Sequence, residues 1–483
     1  MTEGGQGKAK EMLNGHFHTP EDLAEEQKKK AAQVAFLTES ASDEGNAQCV
    51  KMLHGDKYLY CDAYGWMEHV GTHWQYKGLA EAHLNIAVTE TLIERRVVAV
   101  KSNVEAIVKA TKPDAKNKEA VKRQFKDRVW CDVATFDEQK YLLNTLSGVV
   151  DLRNGTMVSH SPSDRFTYCI NAEYGTPVMS DLWTNFLSES VKDYEHVKDW
   201  LQMACGYSAT GYTNEEIMFY LFGPSRSGKG TFTNTFLKML GSPLSRGVNF
   251  NMFTARREGD SQNFDLAPLK PCRFIAASES NKYQSLNEAV VKQITGNDPI
   301  VAAHKGHDSF TYFPQFKIWL SSNHPVKGDV DDDAFWGRIK VIEFPHGRLG
   351  EEDTTLKERL EERDNRNALL AYVVMGARMW FNDAKGLMTP ESVKKSTSEQ
   401  RESLDSIQRW LDECITRTEG INTPNADLVR SYTDWCEHNG ETPKASVHFG
   451  RAMQKKGFQP TKIKQHGVDK RGYKDIGIIY EQS

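Results

Sequence analysis

Apolar residues along this chain follow two rhythms: short unbroken runs suited to buried strands, and series at helical spacing. Ile217–Phe222 is such a run and ends at Gly223. Phe232, Phe236, Leu237 and Leu240 then stand at i, i+4, i+5 and i+8, which predicts a helix. Phe274–Ala277, Phe316–Ser321 and Ile339–Phe344 are further strand-like runs, so the span from about Tyr207 to Phe344 predicts an α/β domain. Upstream, Tyr58–Trp74 alternates aromatics with turn residues, as a small β-meander does. Leu79–Phe125 reads as charged helices. The apolar Tyr141–Leu152 followed by Arg153, Asn154 and Gly155 predicts a hairpin. Asp181–Gly206 is amphipathic and helical, with Leu182, Phe186, Leu187, Val197, Trp200 and Leu201 on its apolar side. Downstream, Arg348–Asp383 and Leu428–His438 have helical spacing, and Thr461–Ile478 suggests a β-wing turning at Asp469–Gly472.

These patterns divide the chain into expected parts. Residues 1–45, rich in Gly, Lys, Glu and Ala, predict a flexible tail. Residues 46–205 predict an N-terminal α+β and helical domain, and 206–390 the α/β domain. Residues 391–405 predict a solvated linker, and 406–483 a winged-helix-like domain.

The chemistry begins where the first strand meets its helix. Gly223, Pro224, Ser225, Arg226, Ser227, Gly228 and Lys229 form G-x-x-x-x-G-K between strand and helix, the setting of a phosphate-binding loop. Backbone N–H groups and the helix N-terminus favour phosphate, and Lys229 reaches the β- and γ-phosphates. The next residue is Gly230, where most such loops carry the Ser or Thr that holds Mg²⁺; the hydroxyl comes at Thr231, in reach of an α-phosphate. The protein's Mg²⁺ ligand is therefore left open. Some nucleoside monophosphate kinases also carry G-K-G-T, which makes a small-molecule kinase a rival reading.

Three further residues complete a hydrolytic set. Glu279 ends the run Phe274–Ala277 and can activate an attacking water; its neutral reading is a surface carboxylate. Ser278 stands where an aspartate often holds Mg²⁺ through water. Asn323 follows Phe316–Ser321 and suits a γ-phosphate sensor, or simply opens the turn before Pro325. Arg338, between a helical piece and the strand Ile339–Phe344, suits an arginine finger reaching a neighbouring subunit, worth ~10³–10⁵ in rate. Its alternative is a salt bridge with Asp331–Asp333.

In order and spacing these blocks resemble superfamily 3 helicases, in the phage, plasmid and poxvirus primase-helicase branch. The segments FDLAPLKPCRFIAASES, VKQITGNDPIVAAHKGHDSFTYFPQFKIWLSSNHPV and DDDAFWGRIKVIEF carry the likeness. Upstream, TFDEQKYLLNTLSGVVDLRNGTMVSHSPSDRFT and LQMACGYSATGYT extend it, so that it covers about Tyr58 to Phe344. The resemblance implies an AAA+-like P-loop ATPase core using ATP and Mg²⁺, a collar or loading domain upstream, and a hexameric ring translocating on single-stranded DNA. It also gives meaning to a hairpin of Ile300–Ala303 and Ser309–Phe313. With Lys305 and His307 at its tip, that hairpin would grip DNA in the ring channel; without the resemblance it is an ordinary solvated turn.

Composition alters this picture in three places. No apolar run is long enough to span a membrane, and the N-terminus lacks a signal peptide's core, so a cytoplasmic location, in a host cell if the source is viral, is expected. The eight cysteines form no CxxC pair, which favours free thiols over a zinc site. The net charge is −5, yet Pro443–Asp475 carries nine Lys/Arg against two acids, the footprint of a DNA-binding surface.

The expected function is an ATP-driven replicative DNA helicase of a virus, phage or plasmid, with single-stranded and forked DNA as substrates. No paired-carboxylate primase motif precedes Tyr141, so a primase or polymerase is expected as a separate partner. The alternatives are a nucleotide-dependent origin or assembly factor that does not unwind, and a nucleoside monophosphate kinase-like phosphotransferase.

Overall fold

The computed structural model describes residues 20–76, 78–175, 180–254, 266–279, 285–303, 309–347, 353–465 and 468–479. The chain divides into two compact units, Met1–Gly175 and Thr176–Ser483.

The second unit is built on five parallel strands: β1 (Met218–Phe222), β2 (Ser245–Gly247), β3 (Phe274–Ser278), β4 (Lys317–Ser322) and β5 (Ile339–Glu343). Their order across the sheet is β5-β1-β4-β3-β2. Ile339 and Ile318 both stand opposite Met218, and Ile318 stands opposite Ile275, so the carboxyl ends of β1, β3 and β4 share one edge. Strands buried on both faces need near-continuous apolar residues, which Met-Phe-Tyr-Leu-Phe of β1 supplies.

One face is aromatic. Phe219 stacks on Trp319 at 4.0 Å, and Phe232 and Phe236 of the helix α2 (Lys229–Leu240) pack beside them. The Trp319 indole donates to the Ser208 hydroxyl at 3.0 Å, tying in the helix α1 (Tyr194–Ala209). On the other face Tyr220, Ile275, Leu320 and Val341 join a core with Leu266, Val291, Ile300 and Phe335.

Several boundaries differ from the sequence expectation. The expected break at 205/206 falls inside α1, which packs on α3 (Arg363–Asn382) with almost no space between the backbones. A Cβ on Gly206 would meet the Ala377 nitrogen at 1.9 Å, and one on Gly376 the Gln202 carbonyl at 1.9 Å. The two compact units part after Gly175. The expected linker 391–405 is mostly the helix Glu391–Ser403, which covers the free edge of β5: the Thr397 hydroxyl accepts from Val341 N–H at 3.1 Å, and Gln400 from Val326 N–H at 3.0 Å. Its polar composition hides three buried residues, Val393, Ser396 and Gln400.

Between β3 and β4, Ile300–Ala303 and Ser309–Tyr312 pair antiparallel as expected; Lys305 and His307 lie outside the described residues. The C-terminal segment has its own core, with Trp410, Tyr432 and Phe449 in mutual contact. It combines the helices Ser406–Cys414, Asn425–His438 and Ser446–Lys455 with the hairpin of Pro460–Gln465 and Val468–Tyr473. Asp469–Gly472, expected to be the turn, lie inside the second of those strands, because Gln465 pairs with Val468.

In the first unit, the expected meander is Tyr58–Cys61, Gly65–His69 and Trp74–Gln75. The Asn-Gly hairpin joins Gly148–Asp151 to Thr156–Val158. The expected tail is largely the helix Pro20–Thr38 within the described residues, and it is anchored by Arg95. That guanidinium is 0% exposed and donates to the carbonyls of Phe36, Glu39 and Ser40 and to the Asn46 side chain. An apolar floor of Ala32, Ala35 and Phe36 explains why a Lys- and Glu-rich stretch folds here.

Candidate nucleotide site

The loop between β1 and α2 closes tightly around its glycines. A Cβ on Gly223 would lie 2.0 Å from the Phe344 carbonyl, so only glycine lets β1 leave the sheet there. Arg226 and Gly228 adopt left-handed backbones, φ 61° and 99°, which turn successive N–H groups toward one centre. A Cβ on Gly228 would also press on the Phe186 ring at 2.9 Å. Gly228 has no side chain to cap the helix, so the amides of the first turn of α2 remain open to an anion.

Lys229 is 7% exposed. Its ammonium donates to the carbonyls of Gly223 and Pro224 at 2.7 Å each, to the Ser227 hydroxyl at 3.1 Å and to the Asn323 side-chain oxygen at 3.0 Å. Burial lowers its pKa to about 8. The Asn323 amide nitrogen donates to the Ser225 hydroxyl at 3.0 Å. Thus the expected sensor touches both the loop and its lysine.

Glu279 emerges from β3 at the same edge, its N–H bonded to the Ser321 carbonyl at 2.8 Å. The Ser322 hydroxyl donates to the Glu279 carboxylate and accepts from His324 N–H at 2.8 Å. Ser322 is therefore a functional candidate that sequence reasoning missed. Its signal is only a hydroxyl next to Asn323, and its partner is remote in sequence. A cleft of about 790 Å³ runs from Ser225–Thr231 past Ala276–Ser278 and Asn323 to Asn249 and Lys357. Asn249 and Lys357 escape the sequence as well; both come from loops and short helices whose place beside the cleft is set by the sheet order. A larger cavity of about 1070 Å³, in the first unit beside Phe36 and Val97, has no phosphate loop.

Arg338 is not in this cleft. It ends a short helix just before β5, and Ile339 stands opposite Met218 at the start of β1. Arg338 and Lys229 therefore mark opposite edges of the sheet, about 13 Å apart along a strand of this length. Among the described residues the alternative pairing of Arg338 with Asp331–Asp333 does not form; Arg338 makes an ion pair with Glu216 at 2.7 Å and a bond to the Ala334 carbonyl at 2.9 Å.

Among the described residues no three His, Cys, Asp or Glu side chains gather to hold a metal ion. A Cβ on Gly230 would meet only open space, so its lack of a hydroxyl is not imposed by packing. None of the eight cysteines is in a disulfide. Among the described residues no helix is long and apolar enough to cross a membrane.

Comparison with known proteins adds three findings. A family model described as D5 N terminal like matches residues 47–206, and one described as a family of unknown function, DUF5906, matches 221–338. Two viral proteins provisionally named as helicases are similar. That of Acanthamoeba polyphaga mimivirus is 25% identical over 338 residues, covering 64% of this chain and 34% of that protein. That of Invertebrate iridescent virus 3 is 25% identical over 333 residues, covering 62% and 35%. The chain thus spans about a third of the length of these relatives. In fold, it resembles the apo structure of the NrS-1 C terminal region, with TM-score 0.51 at 14% identity over 87% of this chain and 96% of that one. A second form of that region gives TM-score 0.50 at 12% identity, over 90% and 100%.

Proposed function

We propose, from the premise that the chain is a relative of the superfamily 3 primase-helicases of viruses and phages, that it is an ATP-driven DNA helicase of replication. One observation carries this reading: the Lys229–Asn323–Ser225 network and the Ser322–Glu279 pair converge at one edge of one parallel sheet. The left-handed loop, the uncapped first turn of α2 and the cleft volume suit a nucleoside triphosphate.

In this reading the loop amides and Lys229 hold the β- and γ-phosphates. Glu279, oriented by Ser322, takes the proton of the attacking water. Asn323 exchanges its bond to Lys229 for one to the γ-phosphate or that water. Mg²⁺ would neutralise phosphate charge; Thr231 and Glu279 are the oxygen donors nearest in sequence to its usual place, since Gly230 supplies none. Arg338, too far from its own cleft, serves the cleft of a neighbouring copy in a ring, with Glu216 holding it at the opposite edge until that copy docks. The hairpin of Ile300–Ala303 and Ser309–Tyr312 would present Lys305 and His307 to single-stranded DNA.

The test is ATP hydrolysis and fork unwinding by the full chain, with and without single-stranded DNA, with native mass measured in parallel. Glu279→Gln should bind ATP and neither hydrolyse nor unwind. DNA-stimulated hydrolysis without strand separation would select the non-unwinding assembly factor instead. A strictly monomeric, DNA-indifferent ATPase would sink both.

A further inference from the structure

A second cationic recess lies at the start of β5, outside the machinery above. It measures about 290 Å³ and is bounded by Trp336, Gly337, Ile339 and Lys340 on one side and the helix Glu391–Ser403 on the other, with Thr389 at its rim. Lys340 is partly buried there, donates to the Gly337 carbonyl at 2.7 Å, and makes no ion pair among the described residues. Its pKa is lowered, first by burial; Glu215 opposes the shift and the charge of Lys394 adds to it. Lys394 reaches only as far as the exposed Glu391, at 3.5 Å. Arg401 donates to the Val330 carbonyl at 2.8 Å and pairs with Asp333, whose carboxylate is largely exposed.

Two ammonium groups lining one recess disfavour one another's charge until an anion joins them. The recess is lined by those two ammonium groups, a guanidinium and the Thr389 hydroxyl, with Asp333 as the one carboxylate in its wall; Glu215, near Lys340, and Glu391, beside Lys394, lie outside it. That donor-rich set suits the oxygens of a phosphate group. We propose that Lys340, Lys394, Arg401 and Thr389 form a phosphate-binding site distinct from the Gly223–Thr231 loop. It sits two residues beyond Arg338, at the sheet edge opposite that loop. The phosphate belongs either to a DNA backbone or to a nucleotide held by a neighbouring copy; the second source rests on the ring reading above.

Calorimetry with inorganic phosphate tests the site without requiring hydrolysis, and so separates its failure from failure of the ring reading. The full chain is used in a Lys229→Ala background, which removes the loop's own hold on phosphate. Adding Lys340→Met and Lys394→Met should weaken phosphate binding at least tenfold, while Lys340→Arg with Lys394→Arg retains it. An unchanged Tm shows that the variants fold. Absence of phosphate binding in the Lys229→Ala chain, or equal binding after the double change, overturns the proposal. Two arms then find the source in the Lys340→Met/Lys394→Met chain. If DNA supplies the phosphate, the slope of log affinity for single-stranded DNA against log salt becomes shallower by about 1.4, two contacts' worth. If a neighbour's nucleotide supplies it, that slope stays and KM for ATP rises at least fivefold. If neither moves, the recess is no phosphate site of the working protein and the proposal fails.

Discussion

Lys229 must be protonated to hold phosphate, yet its burial lowers the ammonium to about 8. A folded pKa below the unfolded one means that the folded chain binds fewer protons across the window from about 8 to about 10.4. This group's contribution to stability therefore rises with pH through that window, and burying its charge costs stability below it. Phosphate binding runs the other way, because it needs the charge. Affinity for ATP should fall as pH rises above about 8, by up to about tenfold per unit. Binding near pH 8 should take up protons, which calorimetry in buffers of different ionisation enthalpy detects. Affinity that is flat from pH 7 to 9.5 would separate Lys229 from the phosphates. Ser322 invites a second test. A hydrogen bond to a charged group is worth about 1.5–3 kcal/mol, so Ser322→Ala should lower kcat by ~10–100-fold while leaving ATP affinity nearly unchanged. Gly230 supplies a third: with open space at its Cβ, Gly230→Ser should keep the wild-type Tm and lower the Mg²⁺ concentration needed for half-maximal hydrolysis.

At the scale of elements, the crossing of α1 and α3 is set by two glycines rather than by apolar side chains. Gly376→Val forces the helices apart and should destabilise the second unit by about 1–3 kcal/mol or more, read as a lower urea midpoint. The same scale explains what is legible in the sequence. The strand, glycine loop and helix at Ile217–Leu240 are adjacent in the chain, so local pattern is enough to find the loop. The hairpin strands at 300–303 and 309–312 are legible for the same reason. The bond from Ser322 to Glu279 is not, because it depends on β3 and β4 being neighbours, and sheet order is a property of the whole domain. The helix Glu391–Ser403 reads as a linker because its buried face is narrow and partly polar: Ser396 and Gln400 are buried by covering a strand edge, not by being hydrophobic. The helix Pro20–Thr38 reads as a tail because its apolar floor is only Ala32, Ala35 and Phe36, and the buried arginine that anchors its end is remote in sequence. The basic count of the C-terminal segment stands, but two of its lysines are already engaged: Lys455 with Asp331 at 3.0 Å and Lys456 with Asp405 at 2.6 Å.

For the whole molecule, the proposed ring makes a sharp demand on mixtures. Arg338→Ala keeps its own cleft but offers no finger; Glu279→Gln offers a finger but has no base. Each alone should be inactive. Mixed in equal amounts, about a quarter of head-to-tail junctions join an intact cleft to an intact finger, and hydrolysis should return in proportion. Two inactive proteins that stay inactive together would remove Arg338 from that role. The position of Arg338 at the far edge of the sheet from Lys229 has a kinetic corollary. In the proposed ring, a lone chain would hold two halves of an engine that cannot be assembled within itself. Turnover per chain should then collapse on dilution, rising more steeply than in proportion as chains find each other, so that the protein hydrolyses fuel only where enough copies have gathered.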